Sequence, residues 1–549
     1  METAIKQPNS AATKASNDPR AGESPYLKGW RLGIVITSLF LGAFLIALDT
    51  NIVGVAIPKI STEFDALQDI SWYGSAYLLT ITAFQPMLGT FYRFFAVEKT
   101  YKGSIVVFEI GTTICAAAVS SEMFIVGRAI AGLGAAGILQ GALSIISYAV
   151  ELKDRPMYMG IVISVFVVSV CVGPVLGGVF TSRSTWRWCF WINLPIGVVV
   201  LIILQIFLRI RGTQSANRAL PLHQKLNHMD PLGCLFFIAA VCCLLLAFQW
   251  GGQSKSWQSS TIIGLFIGFG LLSAVFGYLQ WKRGDMATIP LRILRQRSIL
   301  TGGGVLFFVG ASCYIDSFYI PFWYQSVQGV SAITSGVRLI SFALPQIIGL
   351  IVTGALVTKV GHYVPFIIFG ELVCITGTVL LTRLEIDTPT VQWAAYLVVV
   401  GLGMGIAMQL PYTAVQVVLS PDDIPVGNAI AVFLWQLGGA IAIAIGQTIT
   451  LTSILSEVSD RIPTISPHAV VAAGALGLEK IASTPHVLFE LRDIWNTAVT
   501  RTMILSLSTV CAAVPFALGM EWLNSQKIAE GRKASEQQTG DTVCMELKS

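Results

Sequence analysis

The chain is poor in charge. Only 12% of its 549 residues are Asp, Glu, Lys or Arg, about half the roughly 25% that soluble globular chains carry. That deficit excludes an ordinary soluble domain. The net charge is +5, and the basic residues are spread through short segments rather than gathered on one face, so a nucleic-acid partner is not expected. No G-x-x-x-x-G-K-[ST] loop and no H-E-x-x-H occurs, which removes the usual nucleotide and zinc sites. No nucleophile–base or metal spacing is found, so the reading is not an enzyme, and no cofactor or metal is expected. Uphill work would have to draw on an ion gradient. The ten cysteines form no disulfide framework. Most, such as Cys115, Cys171, Cys242, Cys243 and Cys511, fall in apolar runs and read as small buried hydrophobes. No N-x-[ST] acceptor lies in any segment placed outside. No secretory leader is expected: the first residues are polar, and "KQPNSAATKASNDPR" reads as a disordered tail.

Apolar residues are what the chain has, at 54%. Runs long enough to cross a hydrocarbon core of roughly 30 Å recur from Gly33 to Met520. In lipid every backbone polar group needs an internal partner, so these runs predict helices. The expected fold class is an all-α polytopic membrane protein. Fourteen spans are predicted, at 33–56, 71–92, 102–120, 123–147, 158–180, 189–208, 231–249, 261–281, 299–324, 333–357, 364–382, 393–417, 427–452 and 502–522. The domains expected are a tail (1–32), a six-helix bundle (33–210), a linker with two extra spans (211–298), a second six-helix bundle (299–522) and a tail (523–549). Segment 453–501, with "HAVVAAGALGLEKIAS" and "PHVLFELRDIWNTAV", predicts an external connector whose short amphipathic helices lie on the surface.

Most of the 35 Lys and Arg fall in the tails and in the loops on the same side, so both tails are expected to be cytoplasmic. Trp30, Trp72, Trp186, Trp188, Trp250, Trp281, Trp393 and Trp522 sit at predicted span ends, as interfacial anchors do.

Several features recur at an interval of about 265 residues. Asp49 in span 1 is echoed by Asp316 in span 9. "GTFYRFFAVEK" is echoed by "GALVTKVGHYV", and "VVFEIGTTIC", with Glu109, by "IIFGELVCITG", with Glu371. Spans 1–6 and 9–14 read as related halves with spans 7 and 8 inserted. Such repeats build secondary transporters with a solute site between halves.

Asp49 interrupts "LGAFLIALDTNIVGVAIP". A charge at mid-membrane costs about 2.5–3.5 kcal/mol on insertion scales and marks a cavity, a partner or an ion path. Arg128, in "FIVGRAIAGLGAAG", enters span 4 from the opposite side and reaches a similar depth. A carboxylate near an arginine, in a cavity open to each side in turn, can cycle between charged and protonated states. A static pair bracing spans 1 and 4 is the alternative. Asp316 and Arg338 are weaker candidates in the second half. Glu109 and Glu371 are read as contacts to the loop motifs, in gating or packing. Gln85, Gln140, Gln325, Gln409, Trp435 and Gln436 are polar or aromatic groups within spans that could line a cavity, with interhelical packing as the plainer reading. In "SVCVGPVLGGVF", Gly173 and Pro174 interrupt backbone hydrogen bonding, and Gly177 and Gly178 let a helix approach. A kinked, small-faced helix between the halves suits a gating element.

These residues carry a family resemblance. "LDTNIVGVAIP", "RAIAGLGAAG", "SVCVGPVLGG", "WRWCFWINLPIG", "YIPFWYQSVQGVSAITSGV" and "PVGNAIAVFLWQLGGAI" resemble motifs of the fourteen-span drug:proton antiporters of the major facilitator superfamily, fungal members in particular, over nearly the whole of 33–522. The resemblance implies the major facilitator fold and proton-driven export of small organic molecules, drugs or fungal toxins, by two rocking halves. It implies Asp49 and Arg128 as the coupling acid and its arginine, and Gly173, Pro174, Gly177 and Gly178 as the antiporter motif. Its cytoplasmic loop motif falls on Gly89 and Arg93 in the first half and on Gly354, Lys359 and Gly361 in the second. At the acid position of that motif stand Arg93 and Thr358, which puts the usual inner-gate salt bridge in question. The implied partners are a small-molecule substrate, the proton and the bilayer, with the chain a monomer in the cell membrane or, alternatively, a vacuolar one. An importer of siderophore-iron or of vacuolar basic amino acids is the alternative within the superfamily. A transporter-like sensor is disfavoured by the short, featureless tails.

Overall fold

A computed structural model of the chain describes residues 26–66, 69–208, 218, 220–252, 255–474 and 477–534. The two tails read as 1–32 and 523–549 fall largely outside these residues. Among the described residues all regular secondary structure is helical, with two isolated bridges and no strand.

Twelve helices are long and apolar enough to cross a membrane. They are span 1 (Gly29–Glu63), span 4 (Ser121–Ala149), span 5 (Arg155–Arg183), span 6 (Trp188–Phe207), span 7 (Pro231–Trp250), span 8 (Ser260–Met286), span 9 (Arg297–Ser326), span 10 (Ile333–Val360), span 11 (Val364–Leu381), span 12 (Thr390–Val418), span 13 (Ile424–Arg461) and span 14 (Pro485–Gly519). The other two expected spans coincide with helices that fall short for identifiable reasons. Span 2 is interrupted at Phe84, ahead of Pro86, into Ile70–Ala83 and Gln85–Phe94. Span 3, Val97–Ala116, carries Glu98, Lys99, Lys102 and Glu109. Local chemistry sets several ends. Ser120 and Thr484 cap spans 4 and 14, their hydroxyls accepting from the Met123 and Val487 amides at 3.3 Å. Gly361, at φ +82°, ends span 10 in the left-handed conformation.

The repeat is visible in packing. A methyl at Gly134 of span 4 would stand 2.3 Å from the Phe108 nitrogen of span 3, and one at Gly403 of span 12 would stand 2.3 Å from the Cys374 nitrogen of span 11. In each half the backbones approach this closely because the interface residue has no side chain. Spans 7 and 8 pack together at the periphery. Asp230 joins them: its carboxylate accepts from the Gly233 amide at 3.0 Å and from Gln280 Nε2 at 2.7 Å, and Arg283 lies 3.2 Å away. Span 7 reaches both halves, through Trp72–Trp250 on span 2 and Phe237–Phe433 on span 13.

Both ends of the described chain lie on one side, here the terminal side: the Leu27 amide bonds the Ala149 carbonyl, and Lys533 pairs with Glu151 at 2.8 Å. Three expectations need correction. Segment 453–501 is a connector only in its middle, where Pro467–Ala473 and Leu478–Ile481 form short helices. Span 13 runs on to Arg461 and span 14 begins at Pro485, so "PHVLFELRDIWNTAV" is the start of span 14. It is held there because Trp495 and Asn496 bury against spans 9 and 11, with Trp323 Nε1 donating to Asn496 Oδ1 at 2.7 Å. Residues 525–534, expected as featureless tail, form a helix along the terminal side. Finally, Trp186 and Trp393 are buried rather than interfacial, the first donating to Glu63 at 2.6 Å, whereas Trp30, Trp188, Trp281 and Trp522 are exposed at helix ends.

Candidate functional site

Asp49 lies about 30 Å along span 1 from Gly29, at 1.5 Å per residue. Arg128 lies about two turns into span 4, which starts on the far side. Opposite helix directions therefore bring the two to one depth. Arg128 Nη1 donates to Asp49 Oδ2 at 2.5 Å and its Nε donates to the Tyr73 carbonyl at 2.9 Å. The guanidinium stands over the Tyr77 ring, 4.3 Å from its centre. Asp49 is 0% exposed and Arg128 1%. Asp49 Oδ1 accepts no protein hydrogen bond. Around the pair, Tyr73 donates its hydroxyl to Ser121 at 3.0 Å, and Ser121 donates to Asp69 at 2.5 Å toward the far side.

Immediately beyond Asp49 the surface of span 1 changes. Thr50, Gly54 and Pro58, each one turn apart, are exposed, and the space beside Gly54 is open. The stripe ends at a cleft of about 530 Å³ whose walls include Lys59, Glu63, Thr185 and Trp186.

The span 5 motif faces two ways. Methyls at Gly173 and Gly177 would meet Asn51 Cβ at 2.7 Å and the Ile52 carbonyl at 3.0 Å, on span 1. Pro174 and Gly178 face span 10 of the other half, near Gly336 and Ile333. Pro174 sits inside a helix that continues from Arg155 to Arg183. The motif thus lies between span 1 and the opposite bundle.

The terminal side is closed by contacts between halves. A methyl at Gly89 would meet Ala429 Cβ at 2.5 Å, and one at Gly354 would meet the Pro156 carbonyl at 2.7 Å. Gln140 donates to the Pro425 carbonyl, Tyr148 to the Pro421 carbonyl at 3.4 Å, and Arg155 to Gln416 Oε1 at 3.1 Å. Arg93 lies 3.5 Å from Asp423, and Arg292 of the linker grips the same carboxylate with both nitrogens, at 2.7 and 2.9 Å. Burial pushes Asp423 up, but hydrogen bonds from Arg292 and Ser420, with the charges of Arg93 and Arg292, outweigh it and hold its carboxyl below the usual range. The N-terminus of span 13 adds to the preference for negative charge there. Sequence reasoning missed Asp423 and Arg292. The available signal was "SPDDIP", an acid just ahead of a proline-initiated helix, in a protein whose motif loop had exchanged its acid for Arg93. Lys359 is exposed, and the backbone at Lys359 and Gly361 receives Gln526 and Ser525 of the terminal helix.

The remaining candidates separate. Asp316, fully buried, is bonded by Ser506 at 2.8 Å and Ser312 at 3.4 Å. Arg338 does not join it; it donates to Gln328 and lies between the Tyr324 and Trp393 rings. Glu109 lies against Gly197 of span 6 and Glu371 is buried within span 11, so each stands inside its bundle rather than beside a motif loop. Gln140 and Gln409 belong to the closure, Gln409 bonding the Leu350 carbonyl at 2.7 Å beside Gly160. Gln85, fully buried where span 2 breaks, makes no side-chain hydrogen bond. Gln325 bonds its own helix at Pro321. Gln436 accepts from Tyr314 and Trp435 lies against Gly310, so these two join spans 9 and 13 near the centre.

Residues 39–443 match the family model of the Major Facilitator Superfamily. The chain is 39% identical over 508 residues to the MFS-type efflux pump MFS1 of Trichophyton rubrum, covering 92% of this chain and 94% of that one. It is 37% identical over 507 residues to the efflux pump aflT of Aspergillus parasiticus, covering 92% and 98%. The fold is similar to that of the proton:xylose symporter XylE bound to 6-bromo-6-deoxy-D-glucose, with a TM-score of 0.55 at 12% identity, over 91% of this chain and 99% of that one.

Proposed function

Since the chain belongs to the major facilitator superfamily, and is therefore a membrane transporter and not an enzyme, we propose that it exports small hydrophobic or amphipathic organic molecules, fungal toxins or drugs among them, in exchange for protons. The observation that carries this reading is the buried Asp49–Arg128 pair directly beneath the exposed stripe of span 1, with the terminal side shut. Lys and Arg bias makes the terminal side cytoplasmic, so this arrangement faces outward, as a monomer in the cell membrane. The efflux pumps it is similar to support the direction.

The steps follow from the site. A proton from outside water adds to Asp49, whose Oδ1 has no bond to give up. The carboxyl becomes neutral and its hold on Arg128 weakens. Arg128 keeps the Tyr73 carbonyl and the Tyr77 ring as partners, so the cation stays in place. The halves rock about the span 5–span 10 seam, the terminal side opens, and Asp49 loses its proton to the cytoplasm as solute binds. Re-formation of the ion pair accompanies return to the outward state. One proton crossing about 100 mV yields about 2.3 kcal/mol, and two pH units add about 2.7. Together these sustain a gradient of a few thousandfold.

The test is efflux from cells over-expressing the protein, across a panel of drugs and secondary metabolites. Export that collapses with an uncoupler and in Asp49→Asn is expected. Export indifferent to both would overturn the reading.

A further inference from the structure

We propose that Asp316 is a second proton-carrying site, which takes up and releases a proton of its own in each transport cycle. The inference rests on the antiport reading above but on different atoms.

Asp316 occupies in span 9 the place Asp49 occupies in span 1, about 28 Å from its helix start against about 30 Å. Its surroundings differ in kind. Asp49 has an arginine; no Lys, Arg or His among the described residues lies within 4 Å of Asp316. Two serine hydroxyls close a ring with its carboxyl instead. Ser506 Oγ is 2.8 Å from Asp316 Oδ1, Ser312 Oγ is 3.4 Å from Oδ2, and the two serine oxygens are 2.8 Å apart. The two short contacts, at 2.8 Å, take the two hydroxyl protons, with Ser312 donating to Ser506 and Ser506 to Oδ1. That leaves Oδ2 facing Ser312 Oγ at 3.4 Å, beyond ordinary hydrogen-bond length, with no hydroxyl proton left between them. A carboxylic acid protonated at Oδ2 has a proton to point at Ser312; an ionised one does not. Full burial without a cation favours the same form, since an unpaired buried carboxylate pays a desolvation cost that nothing here repays.

The groups around the ring do not supply a countercharge. Cys313 lies on the same helix, Cys374 on span 11 with Glu371 beyond it, and Thr502 and Thr450 bond each other at 2.8 Å between spans 14 and 13. All are neutral hydroxyls or thiols except Glu371, whose charge would only strengthen the preference for a neutral Asp316. In this outward arrangement the first half therefore holds its acid as an ion pair and the second holds its acid protonated. When the cytoplasmic side opens and water reaches the ring, the acid O–H breaks, the proton passes to that water, and the carboxylate is left to be protonated again from outside.

Two measurements decide it. The first is pH-difference infrared spectroscopy of the purified full-length protein in bilayers. At neutral pH the carbonyl stretch of a protonated acid is expected, lost in Asp316→Asn, kept in Asp49→Asn and shifted in Ser506→Ala, a variant that leaves the carboxyl in place. No difference between wild type and Asp316→Asn overturns the assignment. The second is proton movement per molecule of ethidium in proteoliposomes. About half the wild-type ratio is expected in Asp316→Asn, with dye transport retained and restored to the full ratio by Asp316→Glu; an unchanged ratio overturns the cycling. A wild type that moves no protons with dye defeats the antiport reading itself, while the infrared band still reports on Asp316.

Discussion

Arg93 and Asp423 face each other across the terminal side, 3.5 Å apart, with Arg292 of the linker on the same carboxylate. The motif loop of the first half has Arg93 where the superfamily motif it resembles has an acid, and the second half places an acid, Asp423, at the start of span 13. The ion pair at this loop is charge-reversed rather than missing. Arg93→Asp is expected to weaken closure by on the order of 3–5 kcal/mol, since it sets like charges together at a buried acid. A cysteine at Ala429 should then become reactive to a membrane-impermeant thiol reagent applied from the terminal side. Adding Asp423→Arg should restore only part of the protection, because Arg292 would then face a cation. Unchanged reactivity in the single variant would contradict the gate.

The same cluster predicts insensitivity to pH. The Asp423 carboxyl is held below the usual range by its arginines. A depressed carboxyl contributes its full stabilisation above the ordinary value of about 4 and loses it only as pH falls through the lower, paired value. Closure, read by the same thiol labelling, should be constant from pH 8 to pH 5 and should begin to fail only below about 4. A transition near pH 6 would place proton sensing in the gate instead of the membrane interior.

Asp49→Asn removes the charge opposite a buried arginine. A destabilisation of about 3–5 kcal/mol is expected, visible as a lower unfolding temperature in detergent, together with loss of uncoupler-sensitive efflux. Asp49→Glu keeps the charge and should retain measurable efflux. Equal thermal stability in wild type and Asp49→Asn would show that the pair seen here is not maintained.

Two glycines separate closure from general tolerance. Gly89 approaches Ala429 so closely that any side chain collides, whereas Gly54 faces open space. Gly89→Val is expected to cut efflux at least tenfold with expression preserved, and Gly54→Ala to leave it within about twofold. Similar losses in both would show that the contact at Gly89 is not what its variant reports, since both substitutions raise helix propensity.

The terminal helix adds a smaller effect. Arg532 donates to the carbonyls of Val417 at 2.7 Å and Leu419 at 3.0 Å, closing the exposed end of span 12, while Lys533 pairs with Glu151 of the other half. Glu151→Gln should change stability by under about 1 kcal/mol, as exposed pairs do. Arg532→Ala should cost more, since it leaves carbonyls of a helix end without their donor. Unfolding temperatures of the two variants compare them directly.

Composition and periodicity determined that this chain crosses a membrane repeatedly as helices, because apolar runs of that length have no other way to satisfy their backbone in lipid. They also located Asp49 and Arg128, since a charge inside such a run is costly enough to be conspicuous, and the interval of about 265 residues marked the two halves. Pairing was beyond them. Whether Asp316 meets Arg338 or two serines depends on helix rotation, and one residue turns a side chain by about 100°. For Gln140 and Gln409 the plainer reading, interhelical hydrogen bonding, holds, but depth along a helix did not say which neighbour each would meet. The length of span 14 was hidden because its first turns bury Trp495 and Asn496 against protein rather than lipid, and so carry polar groups that a hydropathy reading assigns to a loop. Only the tertiary structure decided that Arg93 has a partner, because Asp423 and Arg292 reach it from distant segments that approach one another when the two bundles close.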